Sequence, residues 1–332
     1  MSIAIKILGE NFLDKAPPLY SGGVIANVLG LHVFRTLYLN LWRMKPKKMK
    51  GDIQKYLDVL EKDGILVIEN FLPKDQFDEL KKEYDEAFSD WDPFEYDPEK
   101  LTKRQKDFPE YFETIAEKII PAGTPAFMKY IVNNELLIAL SEAVTHRKNN
   151  LTAHHHFWYL QKRKLDKQNV GSLHTAGFPH ADVPYPTVKA FLYMNDVNED
   201  NAAYIFARGS HKLTLKRLIF EYKLSVRYAK TKNDIAFDRD VEKLGYKCES
   251  ICGKANTLFI SNNMGYHNRG DFSNLQPRQT AQLDFRHLET WRNILTKKGN
   301  DIFSKASRRF VKSFDRGLKQ KLRASISYNN MS

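Results

Sequence analysis

The chain has 332 residues, 42% of them hydrophobic and 12% aromatic, a composition that excludes wholesale disorder and a collagen-like fibre. Lys and Arg outnumber Asp and Glu by 52 to 40, a net charge of +12, which favours an anionic partner such as a membrane, a nucleic acid or a small anion. Cys248 and Cys252 are the two cysteines. On one strand they would stand too far apart to bridge, so no disulfide framework is expected and a reducing, cytoplasmic compartment fits.

The opening MSIAIKILGENFLDK has no basic region followed by an apolar run and a cleavage site, so no secretory signal is read. Residues 19–43 are apolar but carry Asn27, His32, Arg35 and Asn40 in mid-run, against a spanning helix. With KPKKMK following, the segment is expected either to be buried on the core or to dip into a membrane interface. DIQKYLDVLEK places Ile53, Tyr56, Leu57 and Leu60 on one helical face and ends at Asp63-Gly64. GILVIEN then reads as a strand, and KDQFDELKKEYDEAF as a helix with Phe77, Leu80, Tyr84 and Phe88 in register. Residues 89–110 read as an exposed loop and 111–145 as helical.

From about residue 150 the pattern changes to short strand-like runs between Gly, Pro and Asn: HHHFWYLQKRK, TVKAFLYMNDV, AAYIFARGS, ANTLFISNN and QTAQLDFRH. An α+β protein with a mostly β, jelly-roll core is predicted. Residues 212–246 form a charged, helix-compatible interruption that suits a lid. The last basic stretch, Lys297 to Arg323, holds ten Lys/Arg and two Asp. Its apolar residues Ile302, Phe303, Ala306, Phe310, Val311, Phe314, Leu318 and Leu322 fall on one helical face opposite the charges, as in a helix that packs on the domain or lies on an anionic lipid surface. The predicted organisation is a 1–51 apolar and basic appendage, a 52–290 jelly-roll domain with 212–246 as its lid-like insertion, and a 291–332 basic helical tail.

The chemistry concentrates in FPHAD. On an extended chain the side chains of His180 and Asp182 point the same way and can reach one metal ion. A third ligand must come from a strand remote in sequence, and His267 in NNMGYHNRG is suitably placed. Two His and one carboxylate on one face of an octahedral ion leave three positions open, the arrangement of non-heme Fe(II) oxygenases. Arg278, at the start of a strand, can clamp a dicarboxylate co-substrate through two parallel hydrogen bonds.

From about residue 52 to 288 the chain resembles the phytanoyl-CoA dioxygenase family of Fe(II)- and 2-oxoglutarate-dependent oxygenases. LEKDGILVIENFLPKDQFDEL is similar to the family's opening helix, strand and second helix, PHAD to its His-x-Asp, NEDNAAYIFARGSHK to its Asn-Gly-Pro to Pro-Gly-Ser-His-Lys stretch, and YHNRG with Arg278 to its distal His and co-substrate Arg. The resemblance implies a cupin-like double-stranded β-helix with flanking N-terminal helices. It also implies His180, Asp182 and His267 as iron ligands and Arg278 as partner of the distal carboxylate of 2-oxoglutarate. Phe191 falls where the family has an aromatic lining the co-substrate pocket. Arg208 replaces a family Pro, and Arg269 stands where some members carry a small hydroxyl residue.

The expected function is therefore hydroxylation of an unactivated C–H bond of a small or amphiphilic, lipid-like metabolite, with Fe(II) as metal and 2-oxoglutarate and O2 as co-substrates. A carboxylate at Asp182 disfavours halogenation, for which related enzymes keep a small residue there. Desaturation or cyclisation at the same site and a metal-free jelly-roll binding module are the alternatives. Peripheral membrane association through the tail fits the charge, and no nucleic-acid partner is expected. His154, His155 and His156 lack a carboxylate at ligand spacing and read as edge residues. His174 reads as a loop residue, and His211 as one that satisfies backbone groups in a turn.

Overall fold

The computed structural model describes residues 27–40, 49–107, 109–146, 153–164, 177–231 and 238–285. They divide into two compact units: the described parts of Met1–Leu39 and Leu215–Asp234, and those of Asn40–Thr214 and Ile235–His287. Besides short helical segments at Lys103–Asp107, inside the stretch expected to be a loop, at Pro125–Phe127 and at Met128–Val132, the helices in chain order are α1 (Leu31–Asn40), α2 (Asp52–Asp63), α3 (Lys74–Ala87), α4 (Pro109–Thr114), α5 (Glu135–Thr145), α6 (Leu215–Thr231) and α7 (Asp238–Lys243). The strands are β1 (Ile65–Ile68), β2 (Ile115–Pro121), β3 (Ala153–Lys162), β4 (Val188–Tyr193), β5 (Tyr204–Ala207), β6 (Cys248–Ile251), β7 (Leu258–Asn262), β8 (His267–Arg269) and β9 (Arg278–Phe285).

The larger unit is the predicted jelly roll. Six strands form one antiparallel sheet in the order β1-β7-β4-β9-β3-β2, and β6-β5-β8 form a second. Strand alternation sorts the side chains of the large sheet. Val188, Ala190 and Leu192 of β4, Ile260 of β7, and Ala281 and Leu283 of β9 join one core with Leu57 and Leu60 of α2, Leu80 and Tyr84 of α3, and Leu137 and Leu140 of α5. The intervening residues of the same strands, Phe191, Tyr193 and Phe259, join a second cluster with Tyr204 and Phe206 of β5. One face of the sheet is thus covered by helices, and the other supplies the interior where the site lies.

Gly64 ends α2 in the left-handed region at φ 79°, its N–H donating to Leu60 O at 2.9 Å. A Cβ there would also come within 2.4 Å of the His211 ring, so both conformation and space require glycine. His211 Nε2 lies 3.1 Å from Glu61 O, the backbone-satisfying role expected of it. Arg208, in place of a proline, pairs with Glu249 at 2.6 Å and Asp63 at 3.4 Å.

The segment 111–145, expected to be helical, is interrupted by β2. Ile115, Ile119 and Ile120 are β-branched, and β2 pairs along β3 from Ile115↔Lys162 to Pro121↔His156. Pro121 closes this edge strand where a missing N–H costs the ladder little. Strands β6 and β8 also escaped the sequence reading, both being short. Cys248 and Cys252 are not joined in a disulfide.

The smaller unit joins α1 to α6. Asn27 Nδ2 donates to Ser225 O at 3.2 Å, His32 Nε2 lies 3.1 Å from Glu221 Oε2, Arg217 Nη2 donates to Glu221 Oε1 at 3.3 Å, and Tyr222 OH donates to Val28 O at 3.0 Å. The lid-like stretch is helical as expected, through α6 and α7. The tail helix expected over 291–332, most of the 1–51 appendage, His174 and the His154 side chain lie outside the described residues. Among the described residues no helix is long and apolar enough to cross a membrane.

Candidate active site

The site forms where the two sheets face each other. His180 and His267 exchange main-chain hydrogen bonds, His180 N to His267 O at 3.0 Å and His267 N to His180 O at 2.9 Å. This antiparallel bridge extends the small sheet and sets the imidazoles side by side, with ring centroids 4.6 Å apart. Asp182 N donates to Asn263 O at 3.1 Å, which returns the carboxylate to the same side. Asp182 Oδ1 is 3.7 Å from Nε2 of both histidines. Among the described residues these three form the one cluster of His, Cys, Asp or Glu with metal-ligand spacing, their ligand atoms all within 4.8 Å of one another.

The donors suit a metal. Nδ1 of His180 lies 2.8 Å from Phe178 O and Nδ1 of His267 lies 3.0 Å from Gly265 O. Each ring therefore carries its proton on Nδ1 and turns an unprotonated Nε2 toward Asp182, the tautomer a metal-binding histidine needs. Burial drives the His267 imidazole down to about 3, overcoming the raising effect of Asp182, so the ring is neutral at physiological pH. Burial pushes the Asp182 carboxyl up, but the Lys189 ammonium and the imidazoles outweigh it and hold it well below the usual carboxylate range.

Lys189 is the site residue that sequence reasoning missed. Its Nζ lies 2.6 Å from Asp182 Oδ2, with both side chains largely buried. One carboxylate oxygen faces the histidines and the other faces an ammonium. The signal was present in TVKAFLY: a lysine two residues before Phe191 shares its strand face, and a charge on the inward face of a central strand needs a partner.

Around this cluster lies a cleft of about 90 Å³, lined among others by Trp158, Lys189, Phe191, Tyr204, Arg269 and Arg278. Phe191 stacks on Phe259 at 4.9 Å and 17°, and Tyr204 lies over His267 at 5.4 Å. Arg278 is buried, not a surface salt-bridge residue. Its Nη1 donates to Ala202 O at 2.6 Å and its Cζ lies 6.0 Å from the Trp158 ring. Burial lowers its guanidinium to about 10. Ala202 presents that carbonyl from the left-handed region, at φ 59°, where the family stretch has glycine. Arg269, also buried, donates through Nη1 to Tyr111 OH. Nε of each arginine is buried without a hydrogen-bond partner, and neither guanidinium lies within ion-pair distance of a carboxylate among the described residues. Two uncompensated buried cations on one cleft make it a site for an anion. His155 is placed elsewhere, its ring 6.1 Å from that of Phe127, and His156 on β3 pairs with Gln282 on β9 and Pro121 on β2; neither joins the cluster.

A family model, phytanoyl-CoA dioxygenase (PhyH), matches residues 60–234, just over half the chain. The chain belongs to the phytanoyl-CoA dioxygenase family. It is accordingly a 2-oxoglutarate-dependent non-heme iron oxygenase, with Fe(II) as its metal and 2-oxoglutarate and O2 as co-substrates. The matched segment includes His180, Asp182, Lys189 and Phe191 and ends before His267, Arg269 and Arg278, which the sheets bring to the same place. No curated protein matches the chain. Among solved structures the chain is similar to EctD from S. alaskensis with bound Fe, at 14% identity and TM-score 0.48, over 74% of this chain and 84% of that one. It is also similar to the epimerase SnoN from nogalamycin biosynthesis, at 13% and 0.43 over 70% and 81%, and to HygX from Streptomyces hygroscopicus with nickel and 2-oxoglutarate, at 13% and 0.42 over 70% and 85%. Likenesses at this level assign no residue a role.

Proposed function

We propose that this oxygenase hydroxylates an unactivated C–H bond of a small or amphiphilic metabolite, with His180, Asp182 and His267 as the ligands of Fe(II). The observation that carries the reading is the convergence of two Nε2 atoms on one carboxylate oxygen at 3.7 Å each. Bound there, Fe(II) with 2-oxoglutarate and O2 supplies the oxidising power for C–H hydroxylation. The protein does the rest by placement. The Nδ1 bonds to Phe178 and Gly265 keep both rings in the ligand tautomer. Lys189 holds Asp182 Oδ2 and thereby limits Asp182 to one metal-facing oxygen.

Arg278 pairs with the distal carboxylate of 2-oxoglutarate, with Arg269 as the second cation of the cleft. Phe191 and Phe259 provide an apolar wall that excludes water from the reacting centre. A carboxylate at position 182 supports hydroxylation over halogenation, because it fills the position a halide would take. The aromatic walls of the cleft suit an organic substrate with apolar surface, and a lipid-like one is the reading we favour.

The test is anaerobic reconstitution with Fe(II), reading metal content and then succinate release across lipid, acyl-thioester, amino-acid and sugar candidates. His180→Ala and His267→Ala are expected to lose metal and coupled turnover, while His156→Ala retains both. Arg278→Leu is expected to raise the 2-oxoglutarate requirement and leave iron content unchanged, because a lost buried charge pair costs about 2 to 5 kcal/mol. Full metal content in either His variant would refute the ligand set.

A further inference from the structure

In the smaller unit the usual sorting of side chains is inverted. On α1 the buried arc is His32, Arg35, Thr36 and Leu39, whereas Phe34 is 61% and Leu37 42% exposed on the opposite side. On α6 the buried stripe is Arg217, Glu221, Leu224 and Ser225, whereas Leu215 is 75% and Ile219 49% exposed. At about 100° per residue, Leu215, Ile219, Tyr222 and Val226 share roughly 60° of arc, and Lys216, Lys223 and Arg227 form the flank beside it. The Tyr222 hydroxyl on Val28 O, at 3.0 Å, brings the exposed Val28 and Leu29 of the preceding turn beside that stripe. The two helices bury ion pairs and amides between them and turn their apolar residues outward.

A helix pair in water gains nothing from this arrangement. Each exposed Leu, Ile or Phe forgoes the gain of burial, and contiguous exposed apolar residues mark an interaction surface. Charge identifies the occupant. α6 carries five Lys/Arg against one Glu, α1 carries Arg35 and no acid, and the chain as a whole is at +12. A second copy of this surface, or the basic segment 297–323, would be repelled. An anionic lipid surface matches both features, since its headgroups take the lysine flank and its acyl boundary takes the apolar stripe.

We propose that α1 and α6 form a membrane-docking surface that seats the protein on an anionic bilayer, with Phe34, Leu37, Leu215 and Ile219 inserted and Lys216 and Lys223 at the headgroups. The surface uses none of the iron or co-substrate residues, so it stands or falls separately from the hydroxylase reading. If it stands, an amphiphilic substrate taken from the bilayer is the class of molecule the enzyme meets there.

The experiment is co-sedimentation of the full chain with phosphatidylcholine vesicles, with and without phosphatidylserine. Binding is expected with phosphatidylserine, declining as salt is raised. The double variant Phe34→Gln/Ile219→Gln is expected to bind at least about tenfold more weakly at an unchanged melting temperature, because both side chains are exposed in solution. Leu37→Gln/Leu215→Gln is expected to do the same and serves if the first variant folds poorly. Three results would overturn the proposal: no binding by the wild type, undiminished binding by both double variants, or a wild-type dimer that either variant dissolves, which would make the surface a contact between copies.

Discussion

Lys189→Met tests how the carboxylate of the proposed iron site is held. In the metal-free protein the substitution leaves Asp182 buried and charged with its 2.6 Å ammonium partner gone. Removing one member of a buried pair costs about 3 to 5 kcal/mol, because the remaining charge is uncompensated. The lower end applies, since both side chains keep some exposure, 15% and 14%. At about 2 °C per kcal/mol for a chain of this size, the metal-free variant should melt on the order of 5 °C below the wild type. A divalent cation changes the balance: once held by His180, Asp182 and His267 it supplies the positive charge that Lys189 supplied. Metal should therefore recover most of the lost stability, and its stabilising effect should be larger in the variant than in the wild type. Thermal unfolding of both proteins with and without Zn²⁺, a redox-inert probe for the site, reads this directly. Equal destabilisation with and without metal would refute the reasoning and mark Lys189 as a packing residue. A metal-free variant as stable as the wild type would show that the pair contributes nothing.

Two further outcomes are expected. His267 is held neutral to about 3 by burial while the unfolded chain takes up its proton near 6.5, so below that pH the unfolded state binds more protons and metal-free stability falls, by about 2 kcal/mol at pH 5; denaturant unfolding at pH 7 and 5 should show this slope in the wild type and lose it in His267→Gln. Ala202→Gly should stabilise by about 0.5 to 1 kcal/mol by relieving the φ of 59°, with Arg278 still anchored on the carbonyl; a lower melting temperature would mean that the alanine methyl packs usefully.

The β core was legible because alternation in TVKAFLYMNDV and QTAQLDFRH repeats over enough residues to outweigh chance, and His180, Asp182, His267 and Arg278 were legible because their chemistry is scarce in such a frame. Lys189 was not, because its importance depends on a partner seven residues away whose direction only the sheet decides. β2 was missed because IAEKIIP has too few alternations to compete with the helical spacing around it. The polarity of α1 could not be read either. Its mid-run Asn27 and His32 argued against a spanning helix, but that they face inward depends on Ser225 and Glu221, nearly 200 residues away.

The antiparallel bridge between His180 and His267 makes the geometry of the proposed iron site a matter of backbone register. A single residue inserted or deleted between Gly265 and His267, or between Phe178 and Asp182, would turn one imidazole through the sheet to the opposite face, with every ligand still present in the sequence. Homologous enzymes should therefore differ in length freely in the connection before Gly177 and hardly at all within those two short spans. An alignment that opens a gap there has lost the cluster, whatever residues it matches.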